Sequence, residues 1–291
     1  LFNRNSISNL RMSVEVAVHN VSEQTVIERT SHPITRESMV QDLRQLGLSA
    51  GQTVLVHSSL SKIGWIVGGV HSVILALLDV LGKDGTLMMP THSAQNTNPT
   101  NWQNPPVPET WWQTIREHRP AYDPDITPTR EMGALPELFR TLPDVKRSQH
   151  PIGSFAALGP NAEYLLKDHD SLEKMFADDS PIGKLYQLDG YVLLLGVGHG
   201  NNTSIHLAEY QADFPGKKWL SEASAMTVNG KREWVEFQMH GLDDEDFEQI
   251  GADYEAQHPV AKGKVGNADT RLLQQRPLVD FAVDWMNANR T

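Results

Sequence analysis

Residues 190–198 read G-Y-V-L-L-L-G-V-G. A strand with one face in water alternates apolar and polar side chains. This one does not alternate, so both of its faces must be covered. That condition is met when helices lie on each side of a parallel sheet. Two more short apolar runs support the same reading: T-V-L-V-H (53–57) and G-T-L-M-M-P (85–90). Between them G-G-V-H-S-V-I-L-A-L-L-D-V-L-G (68–82) has glycines at its entry and exit and the spacing of a helix. Strand, helix, strand in that order predicts a parallel βαβ unit. The expected architecture is α/β, a layered fold with a central mostly parallel sheet flanked by helices.

The remaining elements follow from local signals. Thr35 caps a predicted helix that stops at Gly47. Residues 132–142 read as helix and 154–159 as a short strand, with another helix starting at Pro160. Ser180-Pro181 pairs a capping residue with a proline at the first helical position. An acidic helix is expected over 243–258, and P-L-V-D-F-A-V-D-W-M (277–286) closes the pattern. The first methionine is Met12, so residues 1–11 are read as upstream read-through or an added segment. Residues 1–32 as a whole are expected to be a mobile lead-in, and 33–291 a single domain.

The chain has no cysteine, which excludes disulfides and thiolate metal sites. No apolar run approaches the roughly 20 residues that span a bilayer. No leader-like apolar core opens the sequence, so the expected location is cytoplasmic. A net charge of −11 disfavours nucleic acid and anionic membranes as partners and draws cations inward.

In open α/β sheets, ligands bind beyond the carboxyl ends of the strands. Three predicted strands end in polar residues: His57-Ser58-Ser59-Leu60-Ser61, Thr91-His92-Ser93, and the stretch from His199 to Glu209. If the strands are parallel, all three meet at one crevice. The segment from His57 to Ser61 offers hydroxyls and backbone N–H groups suited to phosphate. It is neither a P-loop nor a dinucleotide fingerprint, and G-V-G-H-G (196–200) is read as a turn. Residues 91–129 are polar and proline-rich and carry Trp102, Trp111 and Trp112, which suggests a lid-like loop folded back on the body.

The stretch N-T-S-I-H-L-A-E (202–209) concentrates the chemistry. On a helix His206 and Glu209 share a face, and Thr203 lies one turn earlier. A carboxylate beside an imidazole makes it a better proton acceptor. His150, in R-S-Q-H-P-I-G-S, is assigned a structural or supporting role, and the acidic run D-D-E-D (243–246) a solvated helix start. These residues leave rival readings open. His199, His206 and Glu209 could form a metal-dependent hydrolase site. An acidic crevice could also merely sequester cationic ligands.

Four segments together resemble the aminoglycoside N3-acetyltransferase family: H-S-S-L-S-K-I-G-W-I-V-G-G, H-P-I-G-S-F-A-A-L-G, D-D-S-P-I-G-K-L and N-T-S-I-H-L-A-E. The similarity runs from about Ile34 to Trp285. The pyrophosphate loop of the commoner N-acetyltransferase superfamily is absent, so that fold is not expected. The resemblance implies acetyl-coenzyme A as donor, without a metal, and the 3-amino group of a 2-deoxystreptamine aminoglycoside as acceptor. A different amine is the alternative acceptor. It makes His206 the catalytic base and places coenzyme contacts at His57, Ser58, Ser59, Leu60 and Ser61. The Thr203 hydroxyl or nearby backbone N–H groups are the candidate oxyanion donors, Glu209 the orienting carboxylate, and Glu209 with Asp123 the expected anchors for substrate ammonium groups.

Overall fold

The computed structural model describes residues 22–291. Residues 1–21, most of the expected lead-in, lie outside the described residues. Within the rest of that lead-in, α1 (Glu23–Glu28) is capped by Ser22, and Thr30 accepts the backbone N–H of Trp65 at 2.8 Å. A backbone bridge then joins Ile34 to Ile66.

Helix α2 (Arg36–Leu46) starts at the Thr35 cap, with a reciprocal bond to Ser38, and stops at Gly47 in the left-handed conformation. Strand β1 (Thr53–Ser58) leads through the single turn α3 (Leu60–Ile63) to α4 (Gly69–Leu81) and back to β2 (Thr86–Pro90). The long loop then carries α5 (Trp112–His118). Next come α6 (Ala134–Phe139), β3 (Lys146–Arg147), β4 (Phe155–Leu158), α7 (Ala162–Leu166) and α8 (Pro181–Gln187). Strand β5 (Tyr191–Leu195) precedes α9 (Ile205–Gln211). The hairpin β6 (Trp219–Val228) and β7 (Lys231–His240), helix α10 (Phe247–Gln257), strands β8 (Ala261–Val265) and β9 (Ala268–Gln274), and α11 (Gln275–Asn289) complete the chain.

Seven strands form one sheet in the order β3-β4-β2-β1-β5-β9-β8. Its centre, β2-β1-β5, is parallel, and antiparallel pairs close both sides. The two-faced burial inferred for β5 is visible residue by residue. Val192 and Leu194 join the core on one side, Leu193 and Leu195 the core on the other. Strand β1 does the same with Leu55 on one face and Val54 and Val56 on the other. Each such side chain contributes roughly 1.5–3 kcal/mol on burial. Helices α2, α4 and α6 cover the second face, and α7 to α11 the first. Among the described residues no helix is long and apolar enough to cross a membrane.

The hairpin β6–β7 stands apart as a two-stranded sheet. It turns at Asn229-Gly230, both at positive φ (49° and 75°), the pattern of a two-residue hairpin turn.

Candidate active site

The parallel centre puts the carboxyl ends of β2, β1 and β5 side by side, as the three polar strand ends require. Strand β1 ends in His57 and Ser58, β2 leads into Thr91 and His92, and β5 turns through Gly196 (φ 74°) toward α9. A short turn over His199–Asn201 follows, and Asn202 Oδ1 accepts the Ser204 N–H at 3.2 Å. Helix α9 buries Ile205, Leu207, Ala208 and Glu209, and its spacing puts His206 and Glu209, three residues apart, on one side.

His206 Nδ1 meets Glu209 Oε2 at 2.5 Å. In the neutral ring the carboxylate fixes the tautomer, with the proton on Nδ1 and the lone pair on Nε2. The imidazole is clamped between two phenyl rings, stacked on Phe176 (centroids 5.2 Å apart) and edge-on to Phe247 (4.7 Å). Glu209 is fully buried, and its other oxygen accepts the Asp243 N–H at 2.9 Å and Arg290 Nη1 at 2.7 Å. Burial alone would push this carboxyl up. The bonds from His206, Arg290 and the Asp243 amide outweigh it and hold the group below its ordinary value.

A cavity of about 300 Å³ is lined by His206, His92, Phe176, Asn202, Thr203 and Asp244, among others. Thr203, Asn201 and Met132 also line a smaller cavity of about 110 Å³, whose walls include His57, Ser58 and Val197. Leu242 and Asp244 are also shared with a groove of about 740 Å³, whose wall carries Asp243, Asp244, Glu245 and Asp246 together with Lys217, Lys218 and Arg290. The three spaces adjoin in sequence, with His206 on the middle one. The other imidazoles here are uncharged. Burial, reinforced by the nearby His206, lowers His57 to about 3. Burial also lowers His92 to about 3 and His150 to about 4.

The geometry matches what a histidine–carboxylate pair needs for proton transfer at the mouth of an α/β sheet. A family model described as aminoglycoside 3-N-acetyltransferase matches residues 55–287, most of the chain. The chain belongs to the aminoglycoside 3-N-acetyltransferase family. It is an acyltransferase. It is 46% identical over 265 residues to the SPbeta prophage-derived aminoglycoside N(3')-acetyltransferase-like protein YokD of Bacillus subtilis, covering 91% of this chain and 96% of that one. It is 38% identical to aminoglycoside N(3)-acetyltransferase VII of Streptomyces paromomycinus, again over 91% and 96%. Among solved structures, AAC-IIIb in a binary complex with CoASH aligns with a TM-score of 0.78 at 30% identity, covering 88% of this chain and 97% of that one. AAC-VIa bound to sisomicin aligns with a TM-score of 0.81 at 30% identity, covering 89% and 100%.

Within this acetyltransferase the expected site residues divide. His206, Thr203 and Glu209 come together, but Glu209 cannot meet substrate as expected. It is fully buried, and both its oxygens are already bonded inside the protein. Asp123 lies apart from this group. Its Oδ1 accepts the Asp125 N–H at 2.9 Å to close a local turn, and it is absent from the walls of the three cavities. In the coenzyme segment His57 and Ser58 line the smaller cavity. Ser59 Oγ and Ser61 Oγ, 3.5 Å apart, stay on the outer side, and Leu60 packs on the core.

His150 is fully buried: its Nδ1 accepts the Gly153 N–H at 3.0 Å, and its ring stacks on His169 at 5.1 Å. The D-D-E-D run is the solvated start of α10, exposed at Asp243, Asp244 and Glu245, and it also walls the groove. The loop tryptophans do not line the His206 cavity. Instead the long loop is fastened at its ends by buried Arg147, which donates to the carbonyls of Thr91 (2.6 Å) and Thr127 (2.5 Å), and along its length by the hairpin through Ser224 and Arg232. The sequence reading gave no role to Phe176, Asp244, Phe247 or Arg290. All four come from segments far from α9 in sequence, so only tertiary packing brings them in.

His199 faces away from this pair. Its Nε2 bonds Glu255 Oε1 at 3.0 Å, and Glu255 also binds Arg271 and Lys262. Among the described residues no group of three or more His, Cys, Asp and Glu is arranged to hold a metal ion. The G-V-G-H-G turn is shaped by α10 instead: Glu248 accepts the Gly200 N–H at 2.8 Å and would overlap a side chain at Gly198. Gly251 of α10 packs directly on the His199 ring, where any Cβ would collide. Gly251→Ala should therefore lose about 1–3 kcal/mol by overpacking, despite alanine's better helix propensity. Denaturant unfolding curves measure this directly, and an unchanged midpoint would show that the ring is free to move.

Proposed function

We propose that this chain transfers the acetyl group of acetyl-coenzyme A to an amino group of a cationic aminoglycoside, the 3-amino group of the 2-deoxystreptamine ring, with His206 as general base. One observation carries the reading. A carboxylate-bound imidazole lines a cavity that shares wall residues with a groove carrying four carboxylates and with a narrow, hydroxyl-bearing cavity. A relative in complex with CoASH and another bound to sisomicin support the two ligand classes.

The residues of the smaller cavity fit a thin acyl-thioester arm: Val56, Pro90 and Val197 supply apolar wall, and Ser58 and Thr203 supply hydroxyls. The donor supplies an activated acetyl group. The chain's own residues manage the proton. An acidic groove favours the ammonium form of every substrate amine, and that form has no lone pair to attack with. The ammonium first gives one proton to solvent; as the free amine nitrogen then bonds to the acetyl carbon, Nε2 of His206 takes the next proton while Glu209 stabilises the imidazolium. The carbon–sulfur bond then breaks, and the proton passes to the departing thiolate. Thr203, which lines both cavities, is placed to donate to the oxyanion.

The ammonium groups away from the reaction fall to Asp244 and Glu245, because Asp246 is held in the Arg290 fork and Asp243 Oδ1 closes a local turn on the Glu245 N–H. Asp244 lines both the groove and the His206 cavity, so it replaces Asp123 and Glu209 as the anchor nearest the chemistry. Asp244→Asn should raise KM for the aminoglycoside about 10-fold, one charge-assisted contact, and leave KM for acetyl-coenzyme A unchanged. Equal rises in both would place Asp244 outside the acceptor site. The whole reading is tested by thiol release from acetyl-coenzyme A with a panel of aminoglycosides and simple amines, with and without EDTA. Acceptor-dependent release that survives EDTA is expected. No release with any amine would support the sequestering module, and loss in EDTA the metal-dependent reading.

A further inference from the structure

We propose that Arg290 is a positioning residue of the reaction. Its guanidinium sets the charge balance of the His206–Glu209 pair and ties that pair to the acidic wall of the substrate groove. The inference rests on the reading of His206 as base.

Arg290 follows α11, more than 80 positions after Glu209 in the chain. Its side chain is nine-tenths buried, and every donor nitrogen is used. Nη1 donates to Glu209 Oε1 at 2.7 Å. Nε and Nη2 grip Asp246 in a fork at 2.8 and 2.6 Å, and Nη2 also donates to the Asp243 carbonyl at 2.8 Å. The guanidinium lies over the Phe214 ring, 5.2 Å from its centroid. Glu209 thus has the imidazole on one oxygen and the guanidinium on the other. A single cation holds the catalytic helix, the loop before α10 and the groove wall in one register.

The electrostatic consequence is specific. A fully buried carboxylate cannot stand alone as an anion. With Arg290 present its charge is balanced, and His206 can stay neutral and ready to accept a proton. Without Arg290 the one cation still bonded to Glu209 is an imidazolium at His206, since Lys217, which feels the carboxylate through space, donates to the Tyr210 carbonyl instead, so the base is held in its spent form. The other groups around the His206 ring do not blur this. His57 from β1 and His92 beyond β2 are neutral, Phe176 and Phe247 carry no charge, and Asp244 is unchanged by the substitution.

The test is the pH dependence of kcat for Arg290→Ala and Arg290→Lys, with KM for both substrates and the melting temperature alongside. In Arg290→Ala kcat at pH 7 should fall about 10- to 100-fold, as for a misplaced catalytic group. Most of it should return as the pH is raised toward 9, because the acid limb moves upward. KM for acetyl-coenzyme A should stay constant. Arg290→Lys keeps the charge without the fork, so its acid limb should stay near that of the wild type. A loss of kcat equal at all pH values, with a lowered melting temperature, would overturn the proposal in favour of simple structural support. So would a wild-type profile in Arg290→Ala. His206→Ala, assayed in parallel, separates the two ideas: if it retains turnover, the base reading itself has failed.

Discussion

His206→Ala is expected to lower kcat by about 10²–10⁴-fold near pH 7 while acetyl-coenzyme A binds with nearly wild-type affinity. The size follows from the task. The attacking amine must shed a proton as it acylates, and the nearest other imidazoles cannot take it. His57 and His92 sit at about 3 because burial opposes their charged forms, which makes them very weak bases. The binding half follows from placement. The ring belongs to the middle cavity, and the wall of the smaller one is built by His57, Ser58, Thr203 and Val197. Steady-state kinetics and calorimetric titration with the coenzyme separate the two terms. Turnover within a few-fold of wild type would remove His206 as the base. A collapse of coenzyme affinity with unchanged kcat would make the ring a wall of the donor site instead.

How much of this was legible in the chain can be seen from particular residues. The unbroken apolar run of β5 demanded two covered faces, and the alternation of Val192 and Leu194 against Leu193 and Leu195 shows why. The polar ends of three strands pointed to one crevice because parallel strands share an end. His206 and Glu209 were found together because helical spacing is local. Glu209 was nonetheless given a substrate-facing role, because three-residue spacing says nothing about depth. Only the arrival of Arg290 and the Asp243 amide, 81 and 34 positions away, shows that its second oxygen is taken. Asp123 shows the same limit of local spacing: one oxygen of this loop carboxylate closes its own turn on the Asp125 N–H. The hairpin β6–β7 carried its signal in plain sight at Asn229-Gly230. It went unread because buried and exposed residues do not alternate regularly along its strands, so the apolar pattern is weak.

Glu209→Gln should separate position from binding. The substitution keeps the shape and removes the charge, so it tests what the carboxylate does for His206. A glutamine amide can offer Nδ1 either an oxygen or an NH2 group. In the second orientation it forces the proton onto Nε2 and abolishes the acceptor lone pair, so kcat should drop about 10²-fold or more. KM for the aminoglycoside should hardly move, since the side chain is fully buried and touches no cavity wall. A large rise in that KM with kcat intact would restore the substrate-facing role. Stability should fall as well, by about 3 kcal/mol, the low end for breaking a buried pair, because Asp246 still holds Arg290. The pH dependence has a definite sign. Burial opposes the Glu209 carboxylate, but the bonds from His206, Arg290 and the Asp243 amide prevail and hold it below its ordinary value of 4.5. It therefore stabilises the folded state fully above that pH and loses this contribution as the pH falls through the folded value. The difference in unfolding free energy between wild type and Glu209→Gln should accordingly be widest near neutrality and shrink in acid. A gap that stays constant down to pH 3 would mean that Glu209 contributes shape to the folded protein but not charge.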